Sequence, residues 1–316
     1  MMRFLNSQKF PIVFGKFNGV LSKGLAVSIS ALSLTAYNPP AAQAQTTITP
    51  IYANSPAGDS ISNASPSVLT VPDNNYTGPA SEKWVYRNIR NNGMAGINGA
   101  NPRSGNGSVE FKTIGSASGQ TEIALGNLDA GGNPISAIGL FDGLTKWSAD
   151  TYTASASIAN QAPILRIELF RPMTQLAPAV YGQLVFDTTW GNNFGPYAYG
   201  AWQNIDLIGQ DVYLRGTSSL GTTFLGSNST EQKFSAWKTQ LTGQGFNILS
   251  INAGMGSSSL SYDGFVDNYR LGLSGAGASD RTFNFEVTAV PEPSAVATLG
   301  LLSAGFVSLV MRRRRK

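Results

Sequence analysis

Alternation of apolar and polar residues is the dominant pattern along this chain. It is clearest in residues 164–170, where Leu165, Ile167 and Leu169 alternate with polar or solvent-facing positions. A period of two places successive side chains on opposite faces of a β-strand. The segment therefore predicts a strand with one face in a hydrophobic core.

Further short segments show the same character, and turns rich in Gly and Asn separate them. These predicted strands are residues 84–90, 108–114, 121–125, 135–141, 151–158, 183–188, 201–208, 211–215, 246–251, 265–273 and 282–287. Many short strands with frequent turn residues are typical of an antiparallel β-sandwich. The predicted fold class is therefore all-β.

One segment has a helical period instead. Within residues 231–241, Phe234, Trp237 and Leu241 have the spacing of one helix face, and Gly243 follows as a stop signal. We therefore expect one short helix beside the strands.

The N-terminal 44 residues differ from the body of the chain. Basic residues lead into an uncharged, mostly apolar run at residues 25–37, and Ala42, Gln43 and Ala44 follow it. A basic leader, a short apolar core and small residues at the cleavage site are typical of a secretory signal peptide. We expect the secretion machinery to remove residues 1–44, and a retained N-terminal anchor is the alternative.

The C-terminal residues 290–316 combine three features. They begin with Val290, Pro291, Glu292, Pro293 and Ser294, continue with an uncharged apolar run at residues 295–311, and end with Arg312, Arg313, Arg314, Arg315 and Lys316. As a helix the apolar run would span roughly 25 Å, near the lower limit for a bilayer. We predict a single transmembrane helix whose basic end is cytoplasmic.

This C-terminal pattern resembles the PEP-CTERM sorting signal of bacterial envelope proteins. The resemblance implies recognition by an exosortase, a membrane-embedded protease, with cleavage near residues 291–293. It also implies delivery to the outer surface or to an exopolysaccharide matrix. An ordinary tail anchor is the alternative. The chain then divides into a signal peptide (1–44), a flexible arm or edge strand (45–80), a β-sandwich (81–289) and the sorting segment (290–316).

The positive net charge of +4 belongs to the two ends of the chain. Nine of the 22 basic residues and one of the 18 acidic residues lie in the two end segments, which leaves 13 basic and 17 acidic residues, a charge of −4, for the body. A mildly acidic body is a poor binder of phosphate backbones. Nucleic acid is therefore not an expected partner.

The chain contains no histidine and no cysteine. Disulfides, thiol nucleophiles, Ser-His-Asp catalysis and zinc sites built from His or Cys are thus excluded. A carboxylate-based glycan hydrolase or lyase stays open. Its candidate carboxylates, which all lie on predicted strands, are Glu110, Glu122, Glu168 and Glu286.

Aromatic and amide side chains concentrate in residues 190–202. The candidate glycan-binding residues of this stretch are Trp190, Asn192, Asn193, Tyr197, Tyr199 and Trp202. Aromatic rings pack against the apolar faces of sugars, and amides hydrogen-bond the hydroxyls. The alternative is that the two tryptophans belong to the core and flank a long hairpin.

A cluster of oxygen ligands occurs at Asp263, Asp267 and Asn268. Calcium takes six to eight oxygen ligands, so this cluster is the calcium candidate of the chain. The alternative is a turn-capping or loop role. No other cofactor is expected.

The body also resembles concanavalin-like and carbohydrate-binding jelly-roll sandwiches, in residues 162–169, 201–206, 264–269 and 283–286. The resemblance implies a sandwich fold and says more about the fold than about a ligand. From the leader, the sorting segment and the strand-rich polar body we expect a non-enzymatic envelope or matrix protein that binds exopolysaccharide or another glycan. The alternatives are the carboxylate-based enzyme and a purely structural surface protein or adhesin.

Overall fold

The computed structural model describes most of the body of the chain. The described residues are 46–55, 57–62, 68–70, 82–115, 118–129, 134–174, 177–189, 196–227, 230–256, 260–275 and 278–287. The predicted leader, its cleavage site and the C-terminal sorting segment lie outside them. No helix among the described residues is long and apolar enough to cross a membrane.

Strands dominate the secondary structure. They are β1 (Thr46–Tyr52), β2 (Ile61–Ser62), β3 (Val68–Thr70), β4 (Glu82–Arg90), β5 (Gly93–Asn98), β6 (Ser108–Thr113), β7 (Gln120–Leu128), β8 (Pro134–Ser136), β9 (Gly139–Leu140), β10 (Leu144–Ala156), β11 (Ile164–Arg171), β12 (Val180–Phe186), β13 (Gln203–Asp206), β14 (Tyr213–Gly216), β15 (Glu231–Lys233), β16 (Asn247–Met255), β17 (Tyr262–Leu273) and β18 (Ser279–Glu286). The helices are a 3-10 turn at Phe141–Gly143, α1 (Ser218–Leu225) and α2 (Phe234–Leu241).

The strands form two sheets. Sheet A has the order β1-β18-β17-β6-β5-β2, and β10 pairs with β17 and carries β13. Sheet B has the order β15-β14-β12-β11-β16-β7-β4-β3, with the short β8 and β9 on β7 and β16. The pairs are antiparallel except for β1 and β18, which are parallel.

The core lies between the two sheets and is rich in aromatic rings. Trp84 from sheet B meets Phe283 and Phe285 from sheet A edge to face, with ring centroids 5.2 and 5.1 Å apart. The indole N–H of Trp147 donates to the hydroxyl of Tyr269 at 2.7 Å, so this buried polar pair is satisfied. The predicted β-sandwich is confirmed.

The alternation in β11 predicted its buried face correctly. Leu165, Ile167 and Leu169 are each completely buried. Arg166 and Glu168 lie on the opposite face of sheet B, where they form ion pairs. The period of two therefore assigned the faces of this strand.

The prediction of a single short helix was wrong in two respects. The predicted helix begins only at Phe234, because residues 231–233 pair with β14 as β15. The unpredicted α1 has the sequence SSLGTTFL, which is poor in strong helix formers. It forms because its buried Leu220 packs over β12 at Gly182, where a Cβ would overlap the side chain of Leu220.

Residues 45–80 were expected to form either a flexible arm or an edge strand. Within this segment β1 pairs with β18 along its whole length and lies at the edge of sheet A. Ile51 is buried in the core, whereas Ile48 is exposed. The described part of the segment therefore includes an edge strand.

Candidate functional site

Tyr197 lies inside the protein and has a structural role. Its side chain is 4% exposed, and its hydroxyl lies 2.6 Å from the Oγ1 of Thr151. Burial raises the pKa of Tyr197 to about 12, although the hydrogen bond with Thr151 lowers it. A ring in this position has no face free for a ligand.

Tyr199 is more exposed, but its hydroxyl is engaged. It donates to the carbonyl of Ile158 at 2.6 Å and accepts from the backbone N–H of Gln161 at 3.1 Å. Its ring packs against Tyr197 with centroids 6.4 Å apart. Tyr199 therefore anchors residues 158–161 against the turn before β13. Trp190, Asn192 and Asn193 lie outside the described residues.

Trp202 belongs to a different arrangement on the outer face of sheet A. It precedes β13 and lies opposite Tyr152 of β10, with ring centroids 5.6 Å apart. Tyr152 in turn lies opposite Phe265 of β17, at 5.8 Å. We call Trp202, Tyr152 and Phe265 the aromatic row.

The aromatic row is partly open to solvent. Phe265 is buried, whereas Trp202 and Tyr152 are only partly buried. Phe265 is not part of the main core cluster between the sheets, which contains the neighbouring Val266 instead. The row therefore presents two partly exposed rings beside one that is buried.

Glu110 of β6 extends the row at the end where Phe265 lies, because it is the partner of Phe265 in the ladder. The amide of Asn98 donates to Glu110 at 2.6 Å. Burial raises the pKa of Glu110, the hydrogen bond from Asn98 lowers it, and the nearby carboxylate of Asp263 raises it. The aromatic row thus ends beside an acceptor group.

A polar row follows the aromatic row along the same strands. It consists of Asn204 on β13, Asp150 on β10 and Asp267 on β17. The amide of Asn204 donates to Asp150 at 2.9 Å, and the guanidinium of Arg103 donates to the second oxygen of Asp150 at 3.0 Å. Apolar ring surface and fixed polar groups therefore lie side by side.

A cavity of about 250 Å³ lies beyond the polar row on the same face. Its lining residues are Thr145, Lys146, Ser148, Asp206, Ile208, Gly209 and Arg270. Asp280 of β18 binds two of its cations, Lys146 at 2.6 Å and Arg270 at 2.9 Å. The cavity thus has charged walls of both signs.

The residues of the calcium candidate have separate partners. Asp263 pairs with Lys112 at 3.1 Å. The carboxylate of Asp267 accepts backbone N–H bonds from Ser104, Asn268 and Phe285, at 2.8 to 3.0 Å. No group of three or more acidic side chains that could hold a metal occurs within the described parts of the chain.

Asp267 instead anchors the loop at residues 99–107, and Asn268 assists it. Asn268 has a φ of +46° and donates to Ser104 at 2.8 Å and to Asp150 at 3.0 Å. Burial raises the pKa of Asp267 to about 7, although the hydrogen bonds from the three backbone N–H groups lower it. The loop role that the sequence left open is the one the geometry supports.

Two of the four candidate carboxylates for hydrolysis meet on the outer face of sheet B. Arg87 of β4 binds both Glu122 and Glu168, at 2.5 Å each, and Arg166 binds Glu122 at 3.1 Å. Both carboxylates are therefore held in ion pairs with arginines. Glu110 and Glu286 lie on sheet A, away from this pair.

Sequence reasoning missed Tyr152, Phe265 and the cavity as parts of a site. Tyr152 and Phe265 appeared only as members of predicted strands, and nothing local distinguishes them from other aromatic residues of those strands. They join Trp202 through cross-strand pairing. The alternation of side chains in each strand, which places Tyr152 and Phe265 on the outer face, was the signal that the sequence offered.

No family model matches the chain, and no curated protein matches it. Among solved structures, it is similar to an agarase, AgWH50C, with 14% identity over 66% of this chain and 25% of that chain, at a TM-score of 0.30. This chain therefore spans about a quarter of the agarase.

Two further solved structures are similar over more of their own length. The family 11 carbohydrate-binding module from Clostridium thermocellum has 11% identity over 70% of this chain and 98% of its own, with a TM-score of 0.30. The loop-swap mutant of Xyn11A from Necallimastix patriciarum has 12% identity over 69% of this chain and 100% of its own, with a TM-score of 0.32. At these identities and TM-scores, the similarities carry no argument about the ligand of this chain.

Proposed function

We propose that this protein is a non-enzymatic glycan-binding β-sandwich of jelly-roll type that acts in the bacterial envelope or its extracellular matrix. The aromatic row carries the proposal. Trp202 and Tyr152 present partly exposed ring surface beside Asn204 and Asp150, the combination that sugars require. The other described members of the predicted glycan set, Tyr197 and Tyr199, shape the turn that leads to Trp202.

The two ends of the chain support the proposed location. The leader at residues 1–44 would export the protein, and the segment at 290–316 would hold it in the inner membrane until an exosortase acts. The body would then reach the outer surface or the exopolysaccharide matrix. Without its ends the body carries a charge of −4, which suits a protein that need not bind anionic membranes or nucleic acid.

An array of neutral and acidic polysaccharides tests glycan binding by the full chain in mild detergent. We expect Trp202→Ala to lower the affinity for the retained polymer at least about tenfold, because it removes one of the two partly exposed rings of the aromatic row. The matched control is Tyr181→Ala, which removes an exposed aromatic ring from sheet B instead. This control should bind as the unchanged protein does.

Two results would reject the proposal. One is that no polysaccharide is retained, which would favour a purely structural protein or adhesin. The other is that Trp202→Ala and Tyr181→Ala bind equally well. Release of reducing ends from the retained polymer, abolished by Glu168→Gln, would instead establish the carboxylate-based enzyme.

A further inference from the structure

The aromatic row and the cavity lie on one face of sheet A and are joined by β10. Tyr152 belongs to the row, and Ser148, four residues earlier, lines the cavity. Since Ser148 and Tyr152 are both at outward positions of the strand, the two parts are ~13 Å apart at a rise of about 3.3 Å per residue. A monosaccharide cannot occupy both.

Polar side chains lie between them, of which Asn204 and Arg103 reach the surface. Asn204 of β13 is exposed and lies midway between Asp206 at the end of that strand and Trp202, which immediately precedes the strand. Arg103 reaches over Asp150 from the loop at residues 99–107 and is itself half exposed. We call the aromatic row, the polar row and the cavity together the β10 strip.

The β10 strip has no excess of positive charge. Its surface cations are Arg103, Lys146 and Arg270, and its carboxylates, with those that pair with these cations, are Asp150, Asp267, Asp206 and Asp280. A surface without excess positive charge gives little attraction for an anionic polymer, whereas neighbouring donors and acceptors suit hydroxyl groups.

We propose that the β10 strip binds an extended, neutral polysaccharide chain along its length, with one sugar on the aromatic row and a later sugar in the cavity. The inference rests on the proposed glycan-binding function and specifies its ligand class. An extended site of this kind recognises the interior of a polymer rather than a terminal sugar.

The test compares fragments of increasing length from the neutral polymer that the array retains. Affinity of the full chain should rise at least tenfold between the disaccharide and fragments long enough to reach the cavity. Ser148→Phe, which fills the cavity, should abolish that rise and leave disaccharide affinity unchanged. Ala154→Phe adds the same ring to the outer face of β10 beyond Tyr152, and we expect it to preserve the rise.

The outcomes distinguish a failure of the extended binding strip from a failure of the proposed glycan-binding function. If Trp202→Ala abolishes binding but affinity does not depend on length, or Ser148→Phe has no effect on long fragments, glycan binding stands and the extended strip is refuted. Retention of acidic polymers alone refutes the neutral ligand class. No retention of any polymer refutes both. Thermal unfolding of Ser148→Phe and Ala154→Phe at the same temperature as the unchanged protein would verify that both variants are folded.

Discussion

At the scale of single residues, Asp267 shows how burial and hydrogen bonding compete at one carboxylate. It is completely buried and accepts three backbone N–H bonds. Burial favours the protonated form and the three donors favour the ionised form, and burial prevails. The carboxylate of Glu286 adds to the rise in pKa, and Asp150 and Arg103 lie nearby.

This raised pKa predicts a pH dependence of stability. The pKa of Asp267 is about 7 in the folded protein against an ordinary value of 3.8. The folded state then binds the proton more tightly, so this contribution is complete below about pH 4 and is lost as the pH rises through about 7. In urea unfolding, the difference in stability between the unchanged protein and Asp267→Asn should fall over that range.

Asp211 provides a control of opposite sign. The backbone N–H of Ser235 donates to it and lowers its pKa, so its contribution is lost as the pH falls. The difference between the unchanged protein and Asp211→Asn should therefore rise with pH. Equal slopes for the two variants would contradict the assignment to Asp267.

At the scale of elements, the loop at residues 99–107 is held onto sheet A by two carboxylates. Asp267 binds the N–H of Ser104, and Glu286 binds the N–H of Asn106 at 2.6 Å. Between them Gly105 has a φ of +73°, and a Cβ there would overlap the carboxylate of Glu286. A side chain at this position would have to displace the carboxylate of Glu286, which accepts from Asn106 and Asn284 at 2.6 Å each.

Gly105→Ala should therefore destabilise the protein by more than its backbone strain alone. Gly115 is the matched control, since its φ is +64° and no atom lies within 4 Å of its Cβ position. We expect about 1 kcal/mol for Gly115→Ala and about 2 kcal/mol more for Gly105→Ala, because the displaced, buried carboxylate of Glu286 loses hydrogen bonds. Chemical denaturation measures both, and equal losses would show that the overlap is relieved without cost.

The ion pairs on the outer face of sheet B connect three strands. Arg87 of β4 joins Glu122 of β7 to Glu168 of β11, and all three side chains are nearly completely buried. Burial by itself lowers the pKa of the arginine, but the two carboxylates outweigh it, so the pKa is raised. The cation is therefore permanently charged in this position.

Arg87→Met should cost about 3–5 kcal/mol of stability, because it leaves two carboxylates buried without their shared cation. Arg90→Met on the same strand is the control. Arg90 is exposed, and a surface substitution of this kind costs at most about 0.5 kcal/mol. Similar unfolding midpoints for the two variants would show that the buried ion pairs do not stabilise the sheet.

At the scale of the whole molecule, the proposed processing reverses the sign of the net charge. The full chain has a net charge of +4, and the body alone has −4. We expect the intact mass of the envelope-associated form to correspond to a chain that starts at Gln45 and ends near residues 291–293. Deletion of the exosortase should leave the C-terminal segment on the protein, and a full-length mass in both strains would contradict the sorting proposal.

The sequence alone determined the all-β class and the buried face of strands such as β11. The reason is local, since alternation in a strand assigns each side chain to one face whatever its neighbours are. Absence of His and Cys likewise excluded whole classes of chemistry. The helix α1 was missed because its propensity is weak and its packing on Gly182 is a tertiary contact.

Only the tertiary structure decided which side chains meet. Trp202, Tyr152 and Phe265 come from segments far apart in the chain, and the pairing of β13, β10 and β17 brings their rings together. Likewise Asp263 and Asp267, four residues apart, have separate partners. Alternation assigns a residue to a face, but its neighbour on that face depends on strand order and register, which long-range packing sets.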